Sequence, residues 1–140
     1  MNRASFDEYI RRFNAQDPTV FDDCLTPDMV MLNGTLELRG AQGMKDHYAK
    51  IWSTFDETVH CLRVVSDDDT LAVQMWTHFT ALRDDDKSVV GPVKAGESFD
   101  FRGVVFYWIE NGKFSNVRVA YNSFTHTDLA GKETFLGIPH

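Results

Sequence analysis

The chain has few of the residues that build disulfide frameworks and metal centres. Its 140 residues include only two cysteines, Cys24 and Cys61, so we expect free thiols in a reducing cytoplasm. The five histidines, at positions 47, 60, 78, 126 and 140, show no paired ligand spacing such as His-Glu-x-x-His. The sequence therefore predicts no metal site.

Long apolar runs and cofactor motifs are also missing. No hydrophobic stretch approaches the roughly 20 residues that span a bilayer, and the first residues lead directly into an amphipathic helix pattern rather than a signal peptide. There is no glycine-rich phosphate loop and no Gly-x-Ser-x-Gly elbow. We therefore expect no membrane insertion and no nucleotide-binding cradle.

Positive charge is scarce. The chain has 14 basic and 21 acidic residues, a net charge of −7, which disfavours binding to a phosphate backbone. Much of the acid lies in two triplets, 67–69 and 84–86, and neither has the glycine and closing glutamate of a calcium loop. We interpret both triplets as solvated turns and expect no nucleic-acid partner.

Apolar and aromatic residues are abundant. Hydrophobic residues make up 43% of the chain, and 11 residues are phenylalanine. This content supports one sizeable core in a single domain over residues 1–140. The phenylalanines also suit the wall of an apolar cavity.

Helix patterns occupy the first part of the chain. Ser5 and Glu8 have capping-box spacing, and the apolar stripe that follows is Phe6, Tyr9, Ile10 and Phe13. Asp17-Pro18 predicts a second short helix that ends at 26–28. Gly40 begins a third, whose inward stripe is Met44, His47, Tyr48, Ile51, Trp52 and Phe55.

Strand patterns dominate the remainder. We predict short strands at 29–33 and 36–39 around a turn, then long strands at 57–66, 71–83, 98–110 and 113–124. The order α-α-β-β-α-β-β-β-β is typical of an α+β fold. The irregular segment 84–96 is a candidate cover for a pocket mouth, and we expect the apolar end at 135–139 to fold back over the body.

The final hairpin has two possible registers. A two-residue Asn-Gly loop pairs Glu110 with Lys113 and places Tyr107 on the same face as Asn116 and Arg118. A slip of one residue reverses every side chain. The register therefore decides which tyrosines face a pocket.

A three-residue loop with a bulge pairs Ile109 with Lys113 instead. One face then carries the residues Val105, Tyr107, Val117, Val119 and Tyr121. The opposite face carries Phe106, Trp108, Asn116 and Arg118, a mixed surface that suits a homodimer interface.

Several short motifs, taken in order, resemble the SnoaL-like branch of the nuclear-transport-factor-2-like superfamily over nearly the whole chain. They are Tyr9-Ile10 with Ala15 and Asp17, the run 26–30, Arg39-Gly40, the run 69–73 and Asn111-Gly112-Lys113-Phe114. The resemblance implies an NTF2-like, cystatin-like fold: a cone-shaped, curved mixed sheet whose three helices enclose a pocket. It also favours the three-residue hairpin loop.

The family's catalytic residues carry over only in part. Tyr9 falls where ketosteroid isomerase has its oxyanion-binding tyrosine, but the base position, near 31–33, and the second acid position, at about Val105, hold no acid. The Arg-Asp-Asp set of limonene epoxide hydrolase has no clear counterpart. His60 or His78 could imitate the histidines of scytalone dehydratase.

Five residues are candidate catalytic groups: Arg39, His47, Tyr107, Tyr121 and Glu133. Arg39 and a tyrosine would stabilise developing negative charge, while His47 or Glu133 would move a proton. For each, an ordinary structural role stays open: a bracing surface arginine, a neutral core histidine, packed tyrosines and a solvated tail glutamate. Candidate substrate-binding residues are Tyr9, Asn33, Tyr48, Met75, Phe101, Val105 and Val119.

We therefore expect a cofactor-free acid/base enzyme that acts on a small, largely apolar, oxygen-containing molecule of secondary metabolism. Isomerisation, cyclisation, rearrangement, dehydration and epoxide opening all stay open. The family also contains non-catalytic members, so a binding domain for a hydrophobic ligand is the alternative. A third possibility is an interaction domain whose cone is filled by aromatic side chains.

Overall fold

A computed structural model describes residues 1–137. Positions 138–140, which include the end of the predicted apolar tail, lie outside the described residues. The helices are α1 (Arg3–Asn14), α2 (Val20–Cys24) and α3 (Gly40–Trp52). The strands are β1 (Leu25–Asn33), β2 (Leu36–Arg39), β3 (Phe55–Ser66), β4 (Thr70–Ala81), β5 (Asp85–Ser88), β6 (Gly91–Val93), β7 (Ser98–Glu110), β8 (Lys113–Thr127) and β9 (Glu133–Gly137).

One mixed sheet forms the body of the fold. Its strand order is β2-β1-β8-β7-β4-β3, with β9 also pairing β8. The β1–β8 pair is parallel, while the other pairs are antiparallel. The predicted α+β fold, a curved mixed sheet with three helices in the N-terminal half, is confirmed. Strand β9 shows how residues 133–137 fold back onto the sheet.

Helix α1 begins earlier than its sequence pattern predicts. Asn2 is the N-cap: its Oδ1 accepts from the Ser5 backbone N–H at 2.9 Å, and Ser5 Oγ accepts from the Asn2 backbone N–H at 2.9 Å. The prediction of Ser5 as the cap is therefore wrong, because asparagine fills that role one turn earlier. The predicted stripe is confirmed, with Phe6, Tyr9 and Phe13 buried.

Strand β1 begins at Leu25, where the sequence analysis placed a helix ending at 26–28. Pro27 lacks a backbone donor, which disfavours regular pairing at that point. The structure accommodates it in a register shift, because β1 pairs β8 at Leu25 and then again only from Val30. The strand is therefore longer than predicted and irregular at its start.

The outer edge of β3 is covered by a side chain from α1. Asn14 Nδ2 donates to the Val59 carbonyl oxygen at 3.0 Å, and the Val59 N–H donates to Asn14 Oδ1 at 2.8 Å. The amide thus takes the place of a neighbouring strand at this point. Such cover limits edge-to-edge association.

The β7–β8 hairpin combines features of both predicted registers. Glu110 pairs with Lys113 around a two-residue loop, in which Asn111 and Gly112 both have positive φ. The favoured three-residue loop is therefore wrong. A bulge at Ser115 then shifts the register by one residue, so the predicted inward set is nevertheless confirmed: Val105, Tyr107, Val117, Val119 and Tyr121.

A second register shift bends the same two strands near their middle. Arg102 pairs with Ser123 while Gly103 pairs with Tyr121, which leaves Asn122 as the extra residue. The backbones approach so closely here that a Cβ on Gly103 would lie 2.2 Å from the Ala120 carbonyl oxygen. Only glycine fits this bend.

The segment expected to be irregular between 84 and 96 contains a separate hairpin, β5–β6. Thr54 Oγ1 donates a hydrogen bond to Asp85 Oδ2 at 2.6 Å. This bond fixes the base of the β5–β6 hairpin. Val93 is buried in an apolar cluster with Ile51 and Phe55. The hairpin is therefore anchored beside the concave side of the sheet.

The convex surface of the sheet, here called the outer face, carries stacked aromatic and cationic side chains. His60 stacks on Trp76 with ring centroids 4.5 Å apart, and the Arg102 guanidinium lies 4.6 Å from the same ring. Trp108 is 43% exposed, with the Arg118 guanidinium 5.2 Å away. The homodimer through this face stays a prediction.

Replacing Trp108 by glutamate should convert that dimer into a monomer, because a charge would enter the apolar centre of the interface. Light scattering during gel filtration measures the mass. Leu129→Glu, at another exposed apolar residue, is the matched control and should stay dimeric. A monomeric wild type, or a dimeric Trp108→Glu variant, would contradict the prediction.

Replacing Gly103 by alanine should lower the free energy of unfolding by about 2 kcal/mol or more, because the methyl group overlaps the Ala120 backbone. Gly43→Ala is the control: its Cβ would meet only Leu38 at 3.9 Å, and helix propensity predicts a gain of about 0.5–1 kcal/mol. Urea denaturation measures both. Equal effects at the two positions would disprove the close approach.

Candidate functional site

A cavity lies between the concave side of the sheet and the helices, as two adjoining chambers. The inner chamber has a volume of about 50 Å3 and the outer chamber about 180 Å3. An apolar cavity of roughly 150 Å3 holds a benzene ring, so the outer chamber suits a molecule with a single ring. The residues shared by both chambers are Met31, Tyr48, Glu57 and Tyr121.

Glu57 is the chemically unusual residue of this cavity. It is only 4% exposed, and its Oε1 accepts a hydrogen bond from Trp52 Nε1 at 3.2 Å. Burial raises the pKa of Glu57 to about 8, while the bond from Trp52 acts in the opposite direction. A carboxyl group with this pKa is available as both acid and base near neutral pH.

Sequence reasoning missed Glu57 as a functional residue, although a signal was present. Residues alternate along β3, so Phe55, Glu57 and Val59 share the buried face. An acidic residue between two inward apolar positions is the mark of a buried carboxyl group. The strand predicted at 57–66 contains this residue, but a strand pattern alone assigns it no function.

The four tyrosines of the chain line the same chamber as the Glu57 carboxyl group. Tyr9, Tyr48, Tyr107 and Tyr121 all line the inner chamber. Burial raises the pKa of each above its ordinary value, and for Tyr9, Tyr48 and Tyr121 the charge of Glu57 adds to the rise. These hydroxyls therefore stay protonated and can donate hydrogen bonds.

Two predicted polar residues, Asn33 and His47, line the outer chamber. His47 packs edge-on against Tyr48, with centroids 5.1 Å apart. Burial lowers the pKa of His47, and Lys50 lowers it further. The imidazole is therefore neutral at pH 7 and can both donate and accept.

Four residues predicted to bind substrate belong to the apolar wall of the cavity. Met75, Val105 and Val119 line the inner chamber, and Phe101 lines the outer one. The predicted cover from 84–96 contributes Val89 and Val90, at the tip of the β5–β6 hairpin, to the outer chamber.

Two predicted catalytic residues are not brought to the cavity. The Arg39 side chain is 70% exposed and pairs with Glu37 at 2.8 Å. Glu133 is exposed on β9, opposite Thr127. Neither lines a chamber, because Arg39 faces outward at the end of an edge strand and β9 extends the sheet beyond the cavity.

The two histidines compared with scytalone dehydratase lie on the outer face. His60 stacks on Trp76, and His78 Nδ1 lies 2.7 Å from Asp100 Oδ1. They therefore cannot reach a molecule in the cavity. Only His47 remains as a cavity histidine among residues 1–137.

Residues 1–137 contain no cluster of three or more His, Cys, Asp or Glu side chains that could hold a metal ion. Within the same residues, no helix is both long and apolar enough to cross a membrane. Cys24 and Cys61 are free thiols and are half-buried, whereas the sequence predicts buried ones.

Comparisons with known proteins agree with this architecture. A family model described as the SnoaL-like domain matches residues 6–117. A search of curated proteins finds no match.

Solved structures share the fold. TsrD from Streptomyces laurentii is 25% identical, with 94% of this chain and 93% of that chain covered and a TM-score of 0.65. A SnoaL-like polyketide cyclase from Agrobacterium tumefaciens is 22% identical over 90% of each chain, with a TM-score of 0.64. An LEH-like epoxide hydrolase from M. tuberculosis is 12% identical over 91% of this chain and 83% of that chain, with a TM-score of 0.67.

Replacing Glu57 by glutamine should stabilise the protein in a pH-dependent way. The pKa of Glu57 in the folded state, about 8, exceeds the ordinary glutamate pKa of 4.5, so the wild type loses stability as pH rises through this range. A glutamine side chain does not ionise and therefore causes no such loss. The free energy of unfolding of Glu57→Gln should exceed that of the wild type by roughly 4 kcal/mol at pH 8, and the difference should vanish below pH 4.

Denaturant melts between pH 4 and pH 9 measure this difference. Glu110→Gln, the same change at an exposed residue, is the matched control. A Glu57→Gln advantage that does not change with pH would show that the wild-type carboxyl group is not held neutral.

Proposed function

Because the chain belongs to the SnoaL-like domain family, we propose that it is a cofactor-independent acid/base enzyme of the isomerase or cyclase type. Its substrate is a small, largely apolar, oxygen-containing molecule of the secondary-metabolite kind. The observation that carries the proposal is the buried Glu57 carboxyl group, with a pKa of about 8, on the wall of the cavity.

The proposed chemistry is proton transfer at carbon next to a carbonyl group. The ionised fraction of Glu57 takes the α-proton, and the resulting acid returns it at another atom, which is an isomerisation. If the enolate instead attacks the carbon of a second carbonyl group in the same molecule, the C=O π bond opens to an alkoxide. Glu57 returns its proton to that oxygen, and the product is a ring. Both reactions need one group that changes role during the cycle, and a pKa near the working pH serves this purpose.

Tyrosine hydroxyls would stabilise the developing enolate. Tyr48 and Tyr121 line both chambers beside Glu57, and their raised pKa values keep them as donors. Hydrogen bonds to an oxyanion are stronger in a cavity that excludes water. Asn33 and His47 supply the remaining polar contacts in the outer chamber.

The lining also supports a neutral substrate. No lysine or arginine among residues 1–137 lines either chamber, so a carboxylate or phosphate would enter without a counter-charge. The outer chamber is walled by Phe55, Phe79, Phe99 and Phe101, which suits a flat ring. The alternative, a non-catalytic binding domain, uses the same lining but needs no proton transfer.

Glu57→Gln should reduce proton abstraction by at least about 100-fold, because glutamine cannot accept the proton. The measurement is exchange of α-protons for deuterium in D2O, followed by NMR, on single-ring ketones such as acetophenone and cyclohexanone. Exchange by the wild type should rise with pH up to about 8, where Glu57 becomes ionised.

His60→Gln, on the outer face, is the control and should exchange like the wild type. Binding of these ketones without exchange, equal in the wild type and Glu57→Gln, would contradict the enzyme and support the binding domain.

A further inference from the structure

Successive inward residues of β3 cross from one chamber to the other. Phe55 lines only the outer chamber, Glu57 lines both, and Val59 lines only the inner one. Side chains two residues apart on one face of a strand are separated by roughly 6.5 Å. The Glu57 carboxyl group therefore lies at the boundary between the chambers, with an apolar side chain on either side of it along the strand.

Strand β4 shows the same order. Phe79 lines the outer chamber and Thr77 lines the inner one. In the register, Phe79 pairs with Glu57 and Thr77 pairs with Val59, so the change of chamber occurs at the same level on both strands. The two chambers therefore follow one another along the strand direction, and a bound molecule can extend past Glu57 from one into the other.

The boundary is the polar part of this path. Tyr48 and Tyr121 line both chambers, as Glu57 does. Burial, and then the charge of Glu57, raises the pKa of both hydroxyls, which places them within electrostatic reach of the carboxyl group. A carbonyl group at the boundary would therefore meet two hydrogen-bond donors and a group that transfers protons.

The inner chamber limits what can extend beyond the boundary. Its volume is about 50 Å3. A cavity of roughly 150 Å3 holds the six carbons of benzene, which is about 25 Å3 per carbon, so the inner chamber holds about two carbon atoms. Val59 and Met75 on its wall are 7% and 5% exposed. This closed apolar space suits an alkyl group.

We propose that the inner chamber is a subsite for a short alkyl group, and that the ligand is an aryl alkyl ketone. Its ring lies in the outer chamber, its carbonyl group lies at the boundary, and about two carbons extend beyond it. The α-carbon is then the first atom to enter the inner chamber, beside Glu57. Naming a ketone rests on the proposed function, whereas the alkyl subsite does not.

Affinity along a series of phenyl ketones tests the subsite. Acetophenone, propiophenone, butyrophenone and valerophenone lengthen the alkyl chain by one carbon at a time. Titration calorimetry at pH 6, below the Glu57 pKa of about 8, measures binding while the carboxyl group is neutral. Propiophenone should bind the wild type about fourfold more tightly than acetophenone, the usual gain for one buried CH2 group. The longer ketones should gain nothing further.

Substitutions at Val59 change the chamber in both directions. Val59→Ala widens it and should extend the gain in affinity to butyrophenone. Val59→Ile narrows it and should abolish the fourfold gain of propiophenone over acetophenone. Val65→Ala and Val65→Ile are the matched controls on the same strand, because Val65 is 68% exposed, and both should follow the wild type.

A steady gain through valerophenone in the wild type would overturn the subsite, because the alkyl chain would then lie outside the inner chamber. The same length limit in the wild type and both Val59 variants would overturn it as well, and so would the absence of binding across the series.

These outcomes are separate from those of the proton exchange experiment. A length limit at propiophenone in a protein that exchanges no α-protons would leave the subsite standing while the enzyme proposal fails. Exchange of acetophenone without a length limit in the series would leave the enzyme proposal standing and overturn the subsite.

Discussion

A carboxyl group buried in an aromatic cavity is the constraint on which this account depends. Glu57 has one described protein partner, the indole N–H of Trp52 at 3.2 Å, and it is almost fully removed from solvent. An ionised carboxylate in this position is costly, so the protein holds the group largely neutral at pH 7. The resulting pKa of about 8 costs stability and is the kind of perturbation found at functional sites.

The cavity exists because the sheet bends, and the bend depends on two bulges in one pair of strands. The first, at Ser115, corrects the register of the two-residue hairpin loop, so that Tyr107 faces inward. The second, beside Gly103, brings β7 and β8 together more closely than any side chain permits. Without the first bulge, the inward residues of β7 and β8 would no longer face the same side of the sheet. Glu57 faces the cavity because side chains alternate along β3 in the same way. Strand β3 lies two strands away from β7 in the sheet.

Much of this fold could be predicted from local patterns, because the helix stripe and strand alternation depend on burial. The prediction of the inward face of the hairpin is correct, but the prediction of its loop is wrong. The bulge at Ser115 could not be predicted, because no residue type in this part of the sequence indicates it. Arg39 and Glu133 are exposed and do not line the cavity, where the sequence analysis predicted them. Their exposure depends on which strands form the edges of the sheet, and local sequence patterns do not determine this. The alternation of inward and outward residues along β3 is enough to identify Glu57 as a buried residue. Only the tertiary structure shows that its neighbours form a cavity rather than a filled core.

The most direct test of the account is an NMR titration of the Glu57 carboxyl carbon in the unliganded wild-type protein. We expect a midpoint near pH 8, because the effect of burial on the pKa outweighs that of the hydrogen bond from Trp52. A midpoint near the ordinary glutamate pKa of 4.5 would mean that the carboxyl group is solvated or paired. The acid/base role proposed for it would then lose its physical basis.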